Sequence, residues 1–416
     1  MDRRRALSAL LALLVLACAG EETETVSGHA TAQAGGGGAG GGAGGGAAGG
    51  GGATGPQRIR ISHFNVRELG TAKLLDESDE QATAAAQILA RFSPDIICIN
   101  EIQYDIKGVP SASLPGAPKS TTYGGFDGGA ENASRLAARV EAAGATVKYT
   151  DTLLTVGNSG FYWKGDDLGQ SFYVLRGWGE FRGRFNTAVL SRFPILKDQV
   201  RVVTDLAWED LPDNKIAKMK SDIGVGVPPG YPLFEKSLNI VPVKVGAQVL
   251  YLVLLHPVTP AFDPINPYRN YDELRGLKLF LDGELPGVDP LPADARFVVV
   301  GDLNADPDDG DGLSGAIQQI TLHPKVVAVF PAGAGTKGHN GQYNSYLSGC
   351  GLDDGSTVQD PTKKFQLQLD YILPSKSIGT PLETLLFFPD FQTEADDFAL
   401  ACRASDHRFM YADVEL

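Results

Sequence analysis

Three stretches of this 416-residue chain contain unbroken apolar runs: DIICIN (95–100), VLYLVLLHPV (249–258) and RFVVVGD (296–302). A strand that is apolar at every position has no face to offer water, so it must lie in a sheet covered on both sides. Further strand patterns are RIRISHFNV (58–66), which alternates, and TAVLSRF (187–193), LNIVPVKV (238–245), FQLQLDYIL (365–373) and HRFMYADVEL (407–416). Helical spacing falls between them in DEQATAAAQILARF (79–92), stopped by Ser93 and Pro94, in ASRLAARVEAAG (133–144) and in YDELRGLKLFLDGEL (271–285). The pattern predicts an α/β (α+β) fold, a mixed β core with helices laid over it. Segments 103–132, 205–236 and 330–364 read as long loops, a length that in compact domains is functional or disordered.

Not all of the chain can join that core. Arg3, Arg4 and Arg5 precede an apolar run from Ala6 to Ala17, the layout of a secretory signal. The run falls short of the roughly 20 residues needed to span a bilayer. Val15, Leu16, Ala17 and Cys18 resemble the lipobox of bacterial lipoproteins, which implies cleavage after residue 17 and lipidation of Cys18. From Ala34 to Gly55 the chain is nearly all Gly and Ala, with almost nothing to bury against its backbone entropy. Residues 18–57 as random coil would reach roughly 35 Å. The expected organisation is a signal peptide (1–17), a lipidated Cys with a Gly/Ala-rich tether (18–57) and one folded domain (58–416). Its expected location is outside the cytoplasm, anchored through lipid to a membrane at the cell surface or in the periplasm. The sequence assigns no oligomeric state.

The formal net charge of −14 argues against binding nucleic acid by phosphate neutralisation, which needs a basic footprint. An acidic site that takes its positive charge from metal ions stays open. Cys98, inside an apolar strand, reads as a buried thiol, whereas Cys350 and Cys402 could pair in an oxidising compartment.

The polar residues fall where the strands end. RIRISHF gives way to Asn65, DIICIN to Glu101, VLYLVLL to His256, and RFVVVG to Asp302 with Asn304 beyond it. QLQL gives way to Asp370, and Ser405, Asp406 and His407 open the last strand pattern. One such residue usually caps a turn or bonds its own backbone. Six strand ends of this kind together point to a site.

In chain order, FNV, INEIQ, LLHP, GDLNADP, QLDYI and SDH resemble the magnesium-dependent endonuclease/exonuclease/phosphatase superfamily, over nearly all of 58–416. RFNTAVLSRFPI, HPVTPAFD with RNYDELR, and GDLNADPDDGDG look like a group of secreted bacterial members. The resemblance implies a two-sheet β-sandwich flanked by helices, four layers α-β-β-α, deoxyribonuclease-like, with the site at one end. It also implies residue roles. Glu101 would be the main carboxylate on Mg²⁺, or on Mn²⁺, with Asn65 on the metal or its water shell and Asp406 a further ligand. Oxygen donors, few in number, suit such a hard cation. Asp302 would orient or deprotonate the attacking water, and Asn304, two residues on along an extended chain, would hold that water or a phosphate oxygen. His256 and His407 would donate to phosphoryl oxygens, and Asp370 would fix the tautomer of His407. Family members often carry Gln before the metal-binding Glu and a basic residue two after it; Asn100 and Gln103 stand there.

The function implied is Mg²⁺-dependent, extracytoplasmic hydrolysis of phosphate mono- or diesters by a metal-activated water. Two readings compete with it: a secreted nuclease acting on nucleic acid, and a non-catalytic binding module displayed on the tether. GDLNADPDDGDG is not an EF-hand, because a loop starting at Asp302 has Pro307 and Leu313 where Gly and Glu are required. Asp306, Asp308, Asp309 and Asp311 then form a separate acidic loop, a solvated turn in preference to an auxiliary Ca²⁺ site. No His or Cys pair has zinc-ligand spacing, and no GxSxG elbow is present. His29, His323 and His339 read as surface or structural residues. The aromatic run 160–181, with Arg182, Arg184 and Arg192, would line a pocket or pack a loop on the sandwich, and packing is the simpler expectation.

Overall fold

The structure, a computed structural model, describes residues 56–105, 131–164, 173–333, 343–350 and 365–416. The expected signal peptide, Cys18, most of the tether, His29 and His339 lie outside the described residues. Among the described residues no helix is long and apolar enough to cross a membrane.

Two sheets dominate. In chain order their strands are β1 (Arg58–Leu69), β2 (Ile96–Ile102), β3 (Asp151–Leu154), β4 (Asn186–Ser191), β5 (Arg201–Val203), β6 (Leu238–Val245), β7 (Gln248–Leu255), β8 (Arg296–Asp302), β9 (Asp370–Pro374), β10 (Glu383–Leu386) and β11 (Met410–Glu415). The first sheet has the order β10-β11-β1-β2-β4-β3 and the second β9-β8-β7-β6-β5. Among the described residues the four longest helices over them are α1 (Glu80–Phe92), α2 (Glu131–Ala142), α3 (Asn266–Asp282) and α4 (Ala395–Ala404).

Each sheet is antiparallel except at one central pair, β1 with β2 and β7 with β8. A parallel pair needs a crossover, and α1 and α3 supply them. Asp79 caps α1 by accepting from the Ala82 N–H at 2.7 Å. The helix ends at Ser93 in the left-handed region (φ 40°), just before Pro94.

Three apolar clusters show the layering. Phe64, Ile97, Ile99 and Leu190 pack under α1, α2 and α4 with Leu89, Leu136 and Ala401. Val253, Leu255, Phe297 and Val299 pack under α3 with Leu274 and Leu277. Ile59, Ile61, Cys98, Val243, Leu252, Leu254, Val298, Val300 and Ile372 fill the seam between the sheets. Alternate residues of one strand thus serve opposite faces, giving two sheets flanked by helices, the four-layer deoxyribonuclease-like sandwich.

Several expected boundaries move. FQLQLDYIL is not one strand: Gln366–Leu367 pairs with Tyr346–Leu347, and β9 begins only at Asp370. The break arises because side chains take the backbone donors: Gln368 N–H goes to Asp306 Oδ2 at 2.8 Å, and Leu369 and Asp370 N–H both go to Ser345 Oγ at 3.0 Å. Likewise the last strand starts at Met410, not His407, whose N–H is held by Ser405 Oγ at 3.0 Å. The expected loop 205–236 contains a helix, Ile216–Ile223.

Candidate active site

Along β1 the seam-facing residues run Ile59, Ile61, His63, Asn65, so the space between the sheets turns from hydrocarbon to polar within one strand. The same period carries Leu252 and Leu254 of β7 on to His256, and Val298 and Val300 of β8 on to Asp302. Parallel strands end on the same side, so each crossover unit delivers two polar residues to one mouth of the seam. Antiparallel strands begin where parallel ones end, and Asp370, the first residue of β9, pairs in register with Asp302.

Glu101 breaks the period. Ile97 and Ile99 face the helices, so an unbroken strand would send Glu101 after them. Its backbone instead takes φ 63°, and the register of β2 slips between Asn100 and Ile102. This bulge turns the carboxylate into the mouth. In β1, Arg67 (φ 44°) and Glu68 (φ 56°) make a second irregularity, which brings the Glu68 N–H to Glu101 Oε2 at 3.2 Å. Gly301 (φ 154°) lets β7 and β8 approach, since a Cβ there would sit 1.9 Å from Leu255 O.

The side chains converge closely. Asn65 Nδ2 donates to Glu101 Oε1 and to Asp302 Oδ2, each at 3.0 Å, while Asn65 Oδ1 accepts from Arg67 N–H at 3.0 Å. That last bond fixes the amide orientation: Asn65 presents a donor to the carboxylates. His256 Nε2 lies 3.5 Å from Asp302 Oδ2 and 3.8 Å from Glu101 Oε1. His407 Nε2 lies 3.6 Å from the same Asp302 oxygen, and its Nδ1 is 2.8 Å from Asp370 Oδ2. Asp302 Oδ1 accepts from Asn304 N–H at 2.9 Å.

One position differs in its detail from the sequence reading. Asn304 is not on an extended chain: at φ 49° the backbone turns, and its amide donates to Pro257 O at 3.1 Å. Asp406 turns toward Arg67, with Oδ2 3.6 Å from Nε, and its other oxygen lies 3.4 Å from Ser405 Oγ.

Electrostatics separate the groups. Burial, then the charges of Asp406 and Glu68, push Glu101 up to about 7. Burial, aided by the Lys236 ammonium, pushes His256 down to about 4, so it is neutral at pH 7. Burial opposes a charge on His407 too, but Asp370 and Asp302 outweigh it and raise the imidazole to about 10. Burial also opposes the Asp302 carboxylate, and His407 and His256 together still hold it below the ordinary range. One neutral and one cationic imidazole thus flank a single carboxylate oxygen.

The donor set fits a hard divalent cation. Glu101, His256 and Asp302 offer ligand atoms within 4.8 Å of one another, as do Asp302, Asp370 and His407. Burial, and after it the charges of Asp406 and Glu68, make Glu101 bind a proton near neutrality, a cost of holding negative charge there that a cation relieves. Asn65, with its oxygen engaged, suits the cation's water shell better than its inner sphere.

Several partners escape the sequence reading. His63 Nε2 is 2.8 Å from Asp370 Oδ1, and Ser345 Oγ donates to Asp370 Oδ2 at 2.7 Å. Asn100 Oδ1 accepts from Asp302 N–H at 3.0 Å, so the residue in place of the family Gln braces the opposite sheet. Lys236, buried and paired with Glu235 at 2.8 Å, lies behind His256. The period that points Asn65 inward also points His63 inward, a signal present in the sequence. Ser345 and Lys236 lie in loops that carry none. Cys350 and Cys402 form a disulfide beside this cluster, and Cys98 is free and buried.

Other expectations resolve into structure. Asp306 accepts from the Asp308, Asp309 and Gln368 N–H groups at 2.8–2.9 Å, which makes the acidic loop a tied turn. Arg192 pairs with Asp95 at 2.8 Å and Arg184 with Glu68 at 2.6 Å. His323 is buried against Asp282 at 3.0 Å, a structural histidine.

The sequence profile of the Endonuclease/Exonuclease/phosphatase family matches residues 63–407. No curated protein matches the chain in sequence. Among solved structures, an endonuclease/exonuclease/phosphatase from Beutenbergia cavernae is similar at 18% identity and TM-score 0.47, covering 86% of this chain and 72% of that one. A family protein from Leptotrichia buccalis gives 15% and 0.43, covering 86% and 100%. Sphingomyelinase C from Streptomyces griseocarneus gives 15% and 0.45, covering 86% and 99%.

Proposed function

This chain belongs to the endonuclease/exonuclease/phosphatase family, and from that premise we propose that it is a Mg²⁺-dependent hydrolase of phosphate esters acting outside the cytoplasm. The observation that carries the reading is the meeting of Glu101, Asp302, neutral His256 and cationic His407 at the mouth of one seam.

Glu101 would hold the cation, with Asn65 bonding its water shell. When bound, the cation neutralises phosphate charge and makes water a better nucleophile near pH 7. Asp302 Oδ2, the point on which both imidazoles converge, accepts a proton from the attacking water or aims its lone pair. His407 keeps its Nδ1–H on Asp370 and donates from Nε2 to a phosphoryl oxygen as charge builds there. Neutral His256 donates from Nε2 without adding a second positive charge that would compete with the metal.

Small esters are favoured over polynucleotides. The net charge is −14, and arginines at the rim are already engaged, Arg67 near Asp406 and Arg184 with Glu68 and Glu180. The Cys350–Cys402 disulfide supports an oxidising compartment. Export and lipidation at Cys18 complete the proposal; Cys18→Ser should move the protein from the membrane fraction to the soluble one. The central test is turnover of bis(p-nitrophenyl) phosphate, p-nitrophenyl phosphate, plasmid DNA and a phospholipid with Mg²⁺ and then EDTA. Metal-dependent turnover lost in Asp302→Ala supports the reading. Turnover that survives in both Asp302→Ala and His407→Ala refutes it, and a folded protein inert on every substrate favours a binding module.

A further inference from the structure

Asp370 is saturated in an unusual way. It is buried, and its Oδ2 receives His407 Nδ1 at 2.8 Å and Ser345 Oγ at 2.7 Å. Its Oδ1 receives a second imidazole, His63 Nε2, at 2.8 Å. His63 is fully buried on the seam face of β1, two residues before Asn65, and among the described residues its Nδ1 has no hydrogen-bond partner. A carboxylate accepts and does not donate, so the Asp370-facing Nε2 carries the proton.

A buried carboxylate with one oxygen bare rotates about its Cβ–Cγ bond to find a donor. Without His63, Oδ1 would compete with Oδ2 for the Ser345 hydroxyl and the His407 N–H, and the imidazole would lose its single orientation. With His63 in place the two oxygens have separate partners, and His407 Nε2 is aimed at Asp302 Oδ2, 3.6 Å away.

We propose that His63 is a positioning residue for hydrolysis: by donating from Nε2 to Asp370 Oδ1 it locks the carboxylate that orients His407. The proposal rests on the phosphoesterase reading of the site. It separates His63 from a merely space-filling core residue, because only the donor at the Nε2 position matters. Gln can place an amide N–H there, while Leu fills the volume and donates nothing.

The test compares His63→Gln, His63→Leu, His407→Ala and the double variant His63→Leu/His407→Ala in the full chain, with melting temperatures recorded for each. Asp302→Ala serves as the control for the chemistry. The expected result is kcat lowered about 10- to 100-fold in His63→Leu with KM unchanged, the size typical of a lost supporting hydrogen bond, and largely restored in His63→Gln. In the His407→Ala background, His63→Leu should cost almost nothing more. An equal cost in both backgrounds, or Gln no better than Leu, overturns the proposal. A wild type that turns over no phosphate ester refutes the phosphoesterase reading instead. The ring N–H signals of ¹⁵N-histidine-labelled protein then decide the positioning claim by themselves. A strongly hydrogen-bonded His407 Nδ1–H kept in His63→Gln and lost in His63→Leu supports it, and one unchanged in His63→Leu overturns it.

Discussion

Glu101 owes its place to one backbone angle. Were β2 regular, the carboxylate would point under the helices; at φ 63° it enters the mouth and binds a proton near pH 7. A metal must displace that proton, so Mg²⁺ affinity measured by calorimetry should fall about tenfold per pH unit below 7 and level off above it. Glu101→Gln should abolish this dependence and weaken binding at least about 100-fold. Asp272 gives a prediction of the opposite kind, on stability. Burial raises it to about 6, although one of its oxygens receives both Trp208 Nε1–H and Lys215 N–H, and the other has no hydrogen-bond partner among the described residues. A carboxyl whose pKa is raised on folding favours the native state below its unfolded value, and that advantage is lost as pH climbs through about 6. Asp272→Asn keeps the bonded oxygen and cannot ionise. Its stability in urea should therefore gain on the wild type by about 2 kcal/mol between pH 4 and pH 8. At this scale the strand-end acids and His256 were legible because the alternation that buries Ile61, Leu254 and Val300 continues into them. The conformation of Glu101 was not, since nothing in INEIQ signals a left-handed residue.

Among elements, the segment 343–350 is held by little regular structure yet supplies Ser345 to Asp370. The disulfide ties its end, Cys350, to α4, whose last residue precedes Ser405 and His407. Arg408, buried below, donates to both sulfurs at 3.0 and 3.3 Å. Across a separation of 52 residues the loop-closure model assigns such a link roughly 4 kcal/mol. The Cys350→Ser/Cys402→Ser variant should lose about 2–4 kcal/mol in denaturant titrations and also lose kcat, and dithiothreitol should reproduce both effects in the wild type. The continuous strands and the Ala-rich α1 were legible from periodicity alone. Helix α4 was not, because FALAC is a short apolar run that suits strand and helix equally. The break in FQLQLDYIL was hidden as well, because Asp306 and Ser345, distant in sequence, withdraw its backbone donors.

In the whole molecule, two crossover units, β1-α1-β2 and β7-α3-β8, face each other across the seam and share one mouth, an architecture the mixed strand patterns foreshadowed. Residues 34–55, nearly all Gly and Ala, offer almost nothing to bury, so a chain starting at residue 56 should melt at the temperature of the full chain and keep its kcat. Starting at 58 should lower the melting temperature, because Gln57 exchanges two backbone hydrogen bonds with Leu416 at 2.9 and 3.0 Å. From Arg58, β1 runs seven residues to Asn65, which sets the chain's entry about 23 Å from the site. β1 thus enters at the blunt end of the sandwich, away from the mouth. Coupled to resin at its N-terminus, the protein should retain its solution kcat/KM, whereas coupling through Phe262→Cys, in the loop after His256, should stopper it.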